Sequence, residues 1–438
     1  MSDADALLWT IGLDPVLRTT ICAVVELDGV PDWETVRKRF AALADDVPTF
    51  RSAVRRGRLG RRTSWVVDPD FDLDLHLHRL TLSSPRGREA VLELAQSMTT
   101  AAFDPELPLW EAALVGGLDG GRAALVVKVH HAMVDGLGAM AMAARLLDGF
   151  PATPGTDAGP AHGGVVAQAG AAASAIASLT RALARTTGAW VSQPGPAAAE
   201  AWRAAEALGK LLAPAPAPLS PVMVGRGIHR RFEVLDLDLA AMRATATATG
   251  ASVNDVFVNG VLGGLRHYHE THGVGPDRLR LLMPISVRAA GDAGTGNHFV
   301  PARFALPLDV DPDKRLRAVH RIAGEWKGSP ALPMSDLLAA GLGRLPARVA
   351  TALWGSMLKG TDACVTNVPG PPFETFLAGH RLERLYAFAP PSGGACNVAL
   401  VTLAGRACVG VNVDAAAVPD TGTLASCLSR GFDEAGAR

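Results

Sequence analysis

The segment VVKVHHAMVDGLGAM, residues 126–140, joins an apolar, β-branched run to a pattern of helical periodicity. The run predicts a buried strand, and the pattern from Gly136 onward predicts a helix. His130 and His131 then lie on the turn at the carboxyl end of the strand, where open α/β sheets commonly carry their chemistry. Asp135 stands at the N-cap position of the helix. The segment therefore predicts an α/β fold with a candidate site at this turn.

Three interpretations of the histidine pair remain open from the residues alone. In the first, both imidazoles are packing residues and Asp135 only caps the helix. In the second, they bind a metal ion, although HExxH is absent and neighbouring residues on a strand point to opposite faces. In the third, one imidazole faces a cavity and acts as a general base near neutral pH.

The chain of 438 residues is long enough for two or three domains. Strands and helices alternate in both halves, which predicts an α/β or α+β architecture. The stretch between the halves is rich in Ala and Pro and predicts helices followed by a stiff connection. We therefore expect one domain over 1–150, a helical linker over 151–221 and a second domain over 222–438.

Composition excludes several classes of protein. A formal net charge of −1 argues against nucleic acid as the main partner, because phosphate binding requires a basic excess. The five cysteines show no CxxC pair, so we expect reduced, mostly buried thiols. The first residues lack the basic region of a secretory signal, and no run approaches the ~20 apolar residues of a membrane span. A protein kept inside the cell is expected, and contact with a membrane surface stays open.

Several motifs follow one another along the chain. HHAMVDG matches HHxxxDG, the signature of acyltransferases that resemble chloramphenicol acetyltransferase and the condensation domains of peptide synthetases. The others are DPDFDLDLHLHRL at 68–80, PLW at 108–110, ND at 254–255, MPISVR at 283–288, GN at 296–297 and TNVPGPP at 366–372. Together they resemble the bacterial wax ester synthase/diacylglycerol acyltransferase family over nearly the entire chain.

This resemblance implies two chloramphenicol acetyltransferase-like domains with mixed sheets and an active-site tunnel at their interface. It implies transfer of a long-chain acyl group from acyl-CoA to diacylglycerol or a fatty alcohol, at a membrane or lipid droplet surface. Acyl-CoA is then a substrate, and no cofactor or metal is expected. The competing functions are an HHxxxDG acyltransferase for a specialised-metabolite alcohol or amine, a lipid-binding protein with a degenerate site, and a metal-dependent hydrolase.

The resemblance also assigns roles within the HHxxxDG motif. His131 is the expected general base, and His130, Asp135 and Gly136 complete the candidate catalytic set. Asp135 is expected to orient the turn through an ion pair with Arg288.

Further residues are expected to serve substrate binding or the fold. Asn254, with backbone N–H groups near Gly136, is the candidate donor set for an oxyanion. Trp110 and Ser286 are expected to line the substrate tunnel. Asp255 is expected to be structural, because its spacing from Ser252 fits a capping box.

Other expectations concern surfaces and the tunnel. The arginine-rich turn at 55–62 and the Ala-rich helices at 165–212 are candidate lipid contacts. Gly260 and Gly263 are expected to let an acyl chain pass, although helix packing is the alternative. His76 and His78 alternate as on a strand and are expected to be exposed. The segment 9–20 lacks a Glu and a Met-His pair that are frequent in the family, which puts the acceptor alcohol in question.

Overall fold

A computed structural model describes residues 1–56, 63–150, 217–286, 299–327 and 347–437. Most of the predicted linker, the Ala-rich helices and Arg288 lie outside these ranges, as do the GN motif and residues 57–62 of the arginine-rich turn. The five cysteines are free and buried, as the sequence predicts.

The strands of the described residues are the following. They are β1 (Thr20–Leu27), β2 (Ser52–Arg55), β3 (Ser64–Val67), β4 (Leu77–Arg86), β5 (Trp110–Leu118), β6 (Ala123–His130), β7 (Arg230–Asp238), β8 (Arg278–Ser286), β9 (Phe299–Pro307), β10 (Ala363–Val368), β11 (Phe376–Leu377), β12 (His380–Phe388), β13 (Cys396–Leu403) and β14 (Arg406–Asp414).

The α-helices of the same ranges are interspersed with these strands. They are α1 (Asp3–Ile11), α2 (Trp33–Asp46), α3 (Arg88–Thr100), α4 (Gly136–Leu146), α5 (Leu239–Thr249), α6 (Val253–Thr271), α7 (Pro312–Lys327), α8 (Ala347–Leu358) and α9 (Thr421–Glu434).

Two mixed sheets of six strands organise the described residues. The first has the order β11-β12-β1-β6-β5-β4, and the second has the order β7-β14-β13-β10-β8-β9. In the first, only β4 and β5 run parallel, whereas in the second β10 runs parallel to both β13 and β8. The strands β2 and β3 pair antiparallel and form a separate hairpin. The predicted fold class, two domains with mixed sheets, is confirmed.

Strand β12 belongs by position to the second half but lies in the first sheet. It pairs antiparallel with β1, from Cys22 opposite Phe388 to Leu27 opposite Leu382. The chain then returns to the second sheet as β13. The first sheet therefore depends on residues from beyond the expected boundary between the halves.

An apolar and polar interface holds the sheets together next to this crossing. The ring of Phe388 stacks on Phe232 of β7, with centroids 4.0 Å apart. The carboxylate of Asp236 on β7 accepts hydrogen bonds from Tyr386 Oη at 2.9 Å and from Arg384 Nε at 3.0 Å. Buried apolar contact of this kind supplies most of the free energy that keeps two layers together.

Helix α6 carries the core of the second half, because most of its residues are buried. Its glycines face α9 and not a tunnel. A Cβ on Gly260 would lie 2.2 Å from the ring of Phe432, and one on Gly263 would lie 3.1 Å from the Cα of Gly431. The expectation that these glycines let an acyl chain pass is therefore wrong. They let two helices approach closely.

The prediction that His76 and His78 are both exposed is wrong for His76. Its side chain is buried, whereas His78 is exposed. The reason is local, since His76 ends a short 3₁₀ turn before β4 begins at Leu77 and so does not share the alternation of that strand. Its Nδ1 lies 2.8 Å from the carbonyl oxygen of Trp110.

The close contact of α6 and α9 can be tested with two helical glycines. A Cβ on Gly264 would lie 2.5 Å from the Cα of Leu428, whereas nothing lies within 4 Å of a Cβ on Gly324 in α7. Gly264→Ala should lower the free energy of unfolding by about 1–3 kcal/mol through overpacking. Gly324→Ala should raise it by up to about 1 kcal/mol, because alanine favours the helix. Denaturant titrations that give both variants the same stability would contradict this packing.

Candidate active site

The turn after β6 is fixed to the neighbouring strand through its backbone. The N–H of His131 donates to the carbonyl of Thr19, just before β1, at 2.9 Å. The N–H of Met133 donates back to the carbonyl of His130, also at 2.9 Å. These two backbone hydrogen bonds fix the shape of the turn.

The side chain of His130 is engaged at both ring nitrogens. Its Nδ1 accepts from the backbone N–H of Ala132 at 3.0 Å, so the ring proton is on Nε2. That Nε2 donates to Oγ1 of Thr19 at 3.1 Å, and the Thr19 hydroxyl donates to the carbonyl of Leu8 in α1. The sequence placed His130 among the catalytic candidates. The structure gives it a positioning role, because neither nitrogen is left for a substrate.

Burial keeps this imidazole neutral. Desolvation, and then the neighbouring charge of His131, lower the pKa of His130 from 6.5 to about 3. A neutral ring in one tautomer can hold both hydrogen bonds at any pH near neutrality. His130 therefore orients the turn on which His131 stands.

Sequence reasoning missed the two residues that complete this support. Thr19 contacts both histidines, one through its side chain and one through its carbonyl group. Gly12 follows α1, and a Cβ there would lie 2.8 Å from both Nε2 of His130 and Oγ1 of Thr19. No local pattern identifies them, since their partners lie more than a hundred residues away in the chain.

Asp135 caps α4 as predicted. It is buried, and its Oδ1 accepts from the N–H of Gly138 at 2.8 Å. This leaves Gly136 as the first helical residue, where backbone N–H groups point out of the helix end. The expected ion pair of Asp135 with Arg288 stays a prediction, because Arg288 lies outside the described residues.

The second half contributes the N-terminus of α6. Ser252 and Asp255 form the predicted capping box, and Asp255 also lies 2.9 Å from Nδ1 of His320. Asn254 occupies the first turn, and its Oδ1 accepts from Nδ2 of Asn367 at 3.4 Å. Asn367 lies in the TNVPGPP motif, but it was not among the site residues predicted from the sequence.

Ser286 is the last residue of strand β8 in the second sheet. Leu281 and Leu282 of β8 lie opposite Ala363 and Cys364 of the parallel strand β10, which ends at Val368. Val368 packs against the apolar cluster that contains Met133 and Val134 of the histidine turn. The histidine turn of the first half and the end of β10 in the second half therefore pack into one apolar core.

Trp110 does not line a tunnel. It is fully buried, and its Nε1 donates to the carbonyl of Phe50 at 2.9 Å. Its ring stacks on Phe40 and on His76. The assignment of Trp110 to substrate binding is wrong, because an aromatic side chain enclosed on every side contributes to the core of the first half.

Comparisons with known proteins identify relatives over the whole chain. The sequence profile of the wax ester synthase/diacylglycerol acyltransferase catalytic domain matches residues 1–257, and that of the C-terminal domain of the same family matches residues 295–435. A putative diacylglycerol O-acyltransferase of Mycobacterium tuberculosis is 34% identical over 435 residues, covering 96% of this chain and 88% of the relative. A probable diacylglycerol O-acyltransferase of the same organism is 30% identical over 390 residues, covering 84% and 83%.

Solved structures show the same fold. The wax ester synthase/diacylglycerol acyltransferase of Marinobacter aquaeolei VT8 superposes with a TM-score of 0.61 at 22% identity, covering 95% of this chain and 94% of that one. The first condensation domain of the calcium-dependent antibiotic synthetase superposes with a TM-score of 0.62 at 17% identity, covering 100% and 95%.

The neutral state of His130 predicts how stability depends on pH. Below pH 6.5 the unfolded chain protonates this histidine, whereas the folded chain resists protonation down to about pH 3. The unfolded state therefore binds more protons in this window, and stability falls as the pH falls. Between pH 7 and pH 5 this contribution is about 2 kcal/mol.

We expect the wild type to lose about 2 kcal/mol more unfolding free energy over this interval than His130→Gln. Denaturant titrations at both pH values measure the difference. His78→Gln, which removes an exposed histidine, should behave as the wild type does. An equal loss in His130→Gln and wild type would mean that His130 titrates normally in the folded chain.

Proposed function

Because the chain belongs to the wax ester synthase/diacylglycerol acyltransferase family, we propose that it transfers a long-chain acyl group from acyl-CoA to diacylglycerol or a fatty alcohol. The product is a triacylglycerol or a wax ester. The observation that carries the proposal is the histidine turn. In this turn the backbone N–H of His131 donates to the carbonyl of Thr19. The neighbouring His130 is neutral, and both of its ring nitrogens are hydrogen-bonded within the protein.

His131 acts as the general base in this proposal. A hydroxyl group is too weakly acidic to attack a thioester near pH 7. An imidazole within hydrogen-bond reach takes its proton as the new C–O bond forms, which contributes about 10²–10⁴-fold to the rate. The resulting imidazolium returns the proton to the thiolate of coenzyme A as the C–S bond breaks. One base therefore serves both steps, and no acyl-enzyme is needed.

The negative charge of the tetrahedral intermediate needs hydrogen-bond donors. Two helix ends supply them in this proposal: the start of α4 at Gly136 and the first turn of α6. The Oδ1 of Asn254 accepts from Asn367, so the amide nitrogen of Asn254 remains the donor that it offers. Helix N-termini also carry a partial positive charge that favours an anion.

Contact with a lipid surface is the remaining part of the proposal, because both the acceptor and the product are water-insoluble. No helix in the described ranges combines the length and the apolar character required to cross a bilayer. The hairpin of β2 and β3 flanks the arginine-rich segment 55–62 and exposes Val66 and Val67 on β3. Arg55 and Arg56, at the start of that segment, are exposed. Basic and exposed apolar side chains on one hairpin favour an anionic lipid surface.

Replacement of His131 tests the chemistry. His131→Ala should reduce turnover by at least about 10²-fold while the melting temperature stays near that of the wild type, since this side chain is only partly buried. Release of free thiol from long-chain acyl-CoA measures turnover, with diacylglycerol, a fatty alcohol and a long-chain amine as separate acceptors. His78→Ala serves as a control at an exposed histidine.

Two results would overturn the proposal. An active His131→Ala variant would show that another group is the base. A wild type that acylates only amines or polar alcohols would exclude neutral-lipid synthesis.

The lipid contact is tested by flotation with anionic vesicles. Replacing both Val66 and Val67 with Ser should reduce the bound fraction several-fold, and added salt should reduce binding of the wild type. Val310→Ser removes a comparably exposed valine elsewhere and should leave binding unchanged. If the double variant floats as the wild type does, the hairpin is not the contact.

A further inference from the structure

A buried lysine lies close to the histidine turn. Lys128 stands on β6 two positions before His130, so the two side chains point to the same face of the first sheet. The side chain of Lys128 is fully buried, and its Nζ lies 2.9 Å from Oε1 of Glu111 on the neighbouring strand β5. The side chain of Glu111 is partly exposed. Lysine is rarely buried so completely, and then only with a partner.

The ion pair by itself gives the fold little reason to keep this lysine. Taking an ammonium group out of water costs free energy, and a buried salt bridge often returns no more than that cost. Burial lowers the pKa of Lys128, although the bond with Glu111 opposes this effect. An unbranched apolar side chain such as methionine would fill the same space without the cost. The ammonium group therefore points to a use other than stability.

The ammonium group of Lys128 contacts the ring of Phe103. Its Nζ lies 4.1 Å from the centre of this ring. A cation over an aromatic face is attracted by the π electrons, and the attraction is strongest where water is excluded. The same ring meets the imidazole of His130 edge to face, with centroids 6.0 Å apart and an angle of 62° between the planes. Phe103 therefore links Lys128 to His130.

Lys128 also connects two ends of one segment of the chain. Phe103 lies in the segment that leads into β5, and Glu111 is the second residue of β5. Between them, the carbonyl of Leu109 accepts the backbone N–H of His130 at 2.9 Å. This segment thus contacts His130 through a main-chain hydrogen bond and through an aromatic ring, and Lys128 contacts it on both sides of that bond.

We propose that Lys128 is a positioning residue for the acyl transfer proposed above, on which this role rests, and that it acts through Phe103. The ammonium group holds the ring of Phe103 against the imidazole of His130. That imidazole keeps its two hydrogen bonds within the protein only in one orientation. The orientation fixes the turn that carries His131. Lys128 thus supports turnover without touching substrate.

A double variant separates this role from a contribution to stability. Lys128→Met with Glu111→Gln leaves no unpaired charge in the interior, so the melting temperature should stay near that of the wild type. We expect kcat to fall about tenfold, because a small displacement of a catalytic group lowers the rate of the chemical step. The KM for acyl-CoA should stay within about twofold, since no contact with substrate is lost. Release of free thiol measures both quantities.

Glu111→Gln alone provides an internal comparison. Its amide oxygen still accepts from Nζ of Lys128, and the ammonium group stays beside Phe103. We expect this variant to retain most of kcat, although its melting temperature falls because a buried charge loses its counter-charge.

Phe103→Leu tests the route through the ring. Leucine is apolar but offers no π face to a cation, so kcat should again fall about tenfold. If Lys128 acts through Phe103, adding Phe103→Leu to the double variant should lower kcat no further, because the effects of linked residues do not add. Phe103→Tyr keeps the ring and should keep kcat within about twofold of the wild type.

A matched control lies towards the opposite end of the same sheet. Arg88 is paired with Glu26 at 3.0 Å, and its Cζ lies 5.1 Å from the centre of the Tyr386 ring. Glu26 is level with Ala124 on β6, roughly 20 Å along the strand from His130. Arg88→Met with Glu26→Gln removes the same combination of groups at this place and should leave kcat unchanged.

The results distinguish this role from the acyl transfer on which it rests. A wild type that releases no thiol from any acyl-CoA would remove the proposed function itself. With an active wild type, an unchanged kcat in Lys128→Met/Glu111→Gln would overturn the role of Lys128, and so would a rise in KM alone. Additive losses from the changes at Lys128 and Phe103 would show that the two residues act separately. If the double variant does not fold, an unchanged kcat in Phe103→Leu, which alters a partly buried side chain, overturns the proposal.

Discussion

The pairing of β12 with β1 is the constraint on which the rest of the structure depends. Residues 380–388 come from the second half of the chain and complete the sheet of the first half. On the other side of β1 lies β6, the strand that ends in the histidine turn. The halves cannot separate without breaking these main-chain hydrogen bonds, so the region between them has a fixed geometry. The histidine turn lies along this boundary.

Three buried polar side chains near the boundary are each held by a backbone group, and His130 is held also by the hydroxyl of Thr19. His130 is bonded to Ala132 and Thr19, Asp135 to Gly138, and Asn412 to Ala389. Because polar atoms are costly to bury without partners, such bonds select one arrangement of the loops. They give the turn after β6 a rigid support, which general base catalysis requires because proton transfer depends on distance.

Local sequence patterns predicted local features well. The capping box at Ser252 was readable, since it involves residues three positions apart. The β-branched runs of β1 and β6 were readable for the same reason. Strand β5 was not identified. In β5 the run WEAALVGGL contains alanines and glycines that weaken the strand signal.

The sequence by itself determined the mixed α/β class, the histidine turn with its Asp135 cap and the family to which the chain belongs. These depend on periodicity, on spacing and on motifs that remain in order along the chain. Only the tertiary structure decided that Trp110 is enclosed, that Gly260 faces Phe432 and that Thr19 supports His130. Thr19 and His130 are 111 residues apart, and Gly260 and Phe432 are further apart still. Contacts over such separations arise from the order of strands in a sheet and the packing of its helices, which no local pattern of residues records.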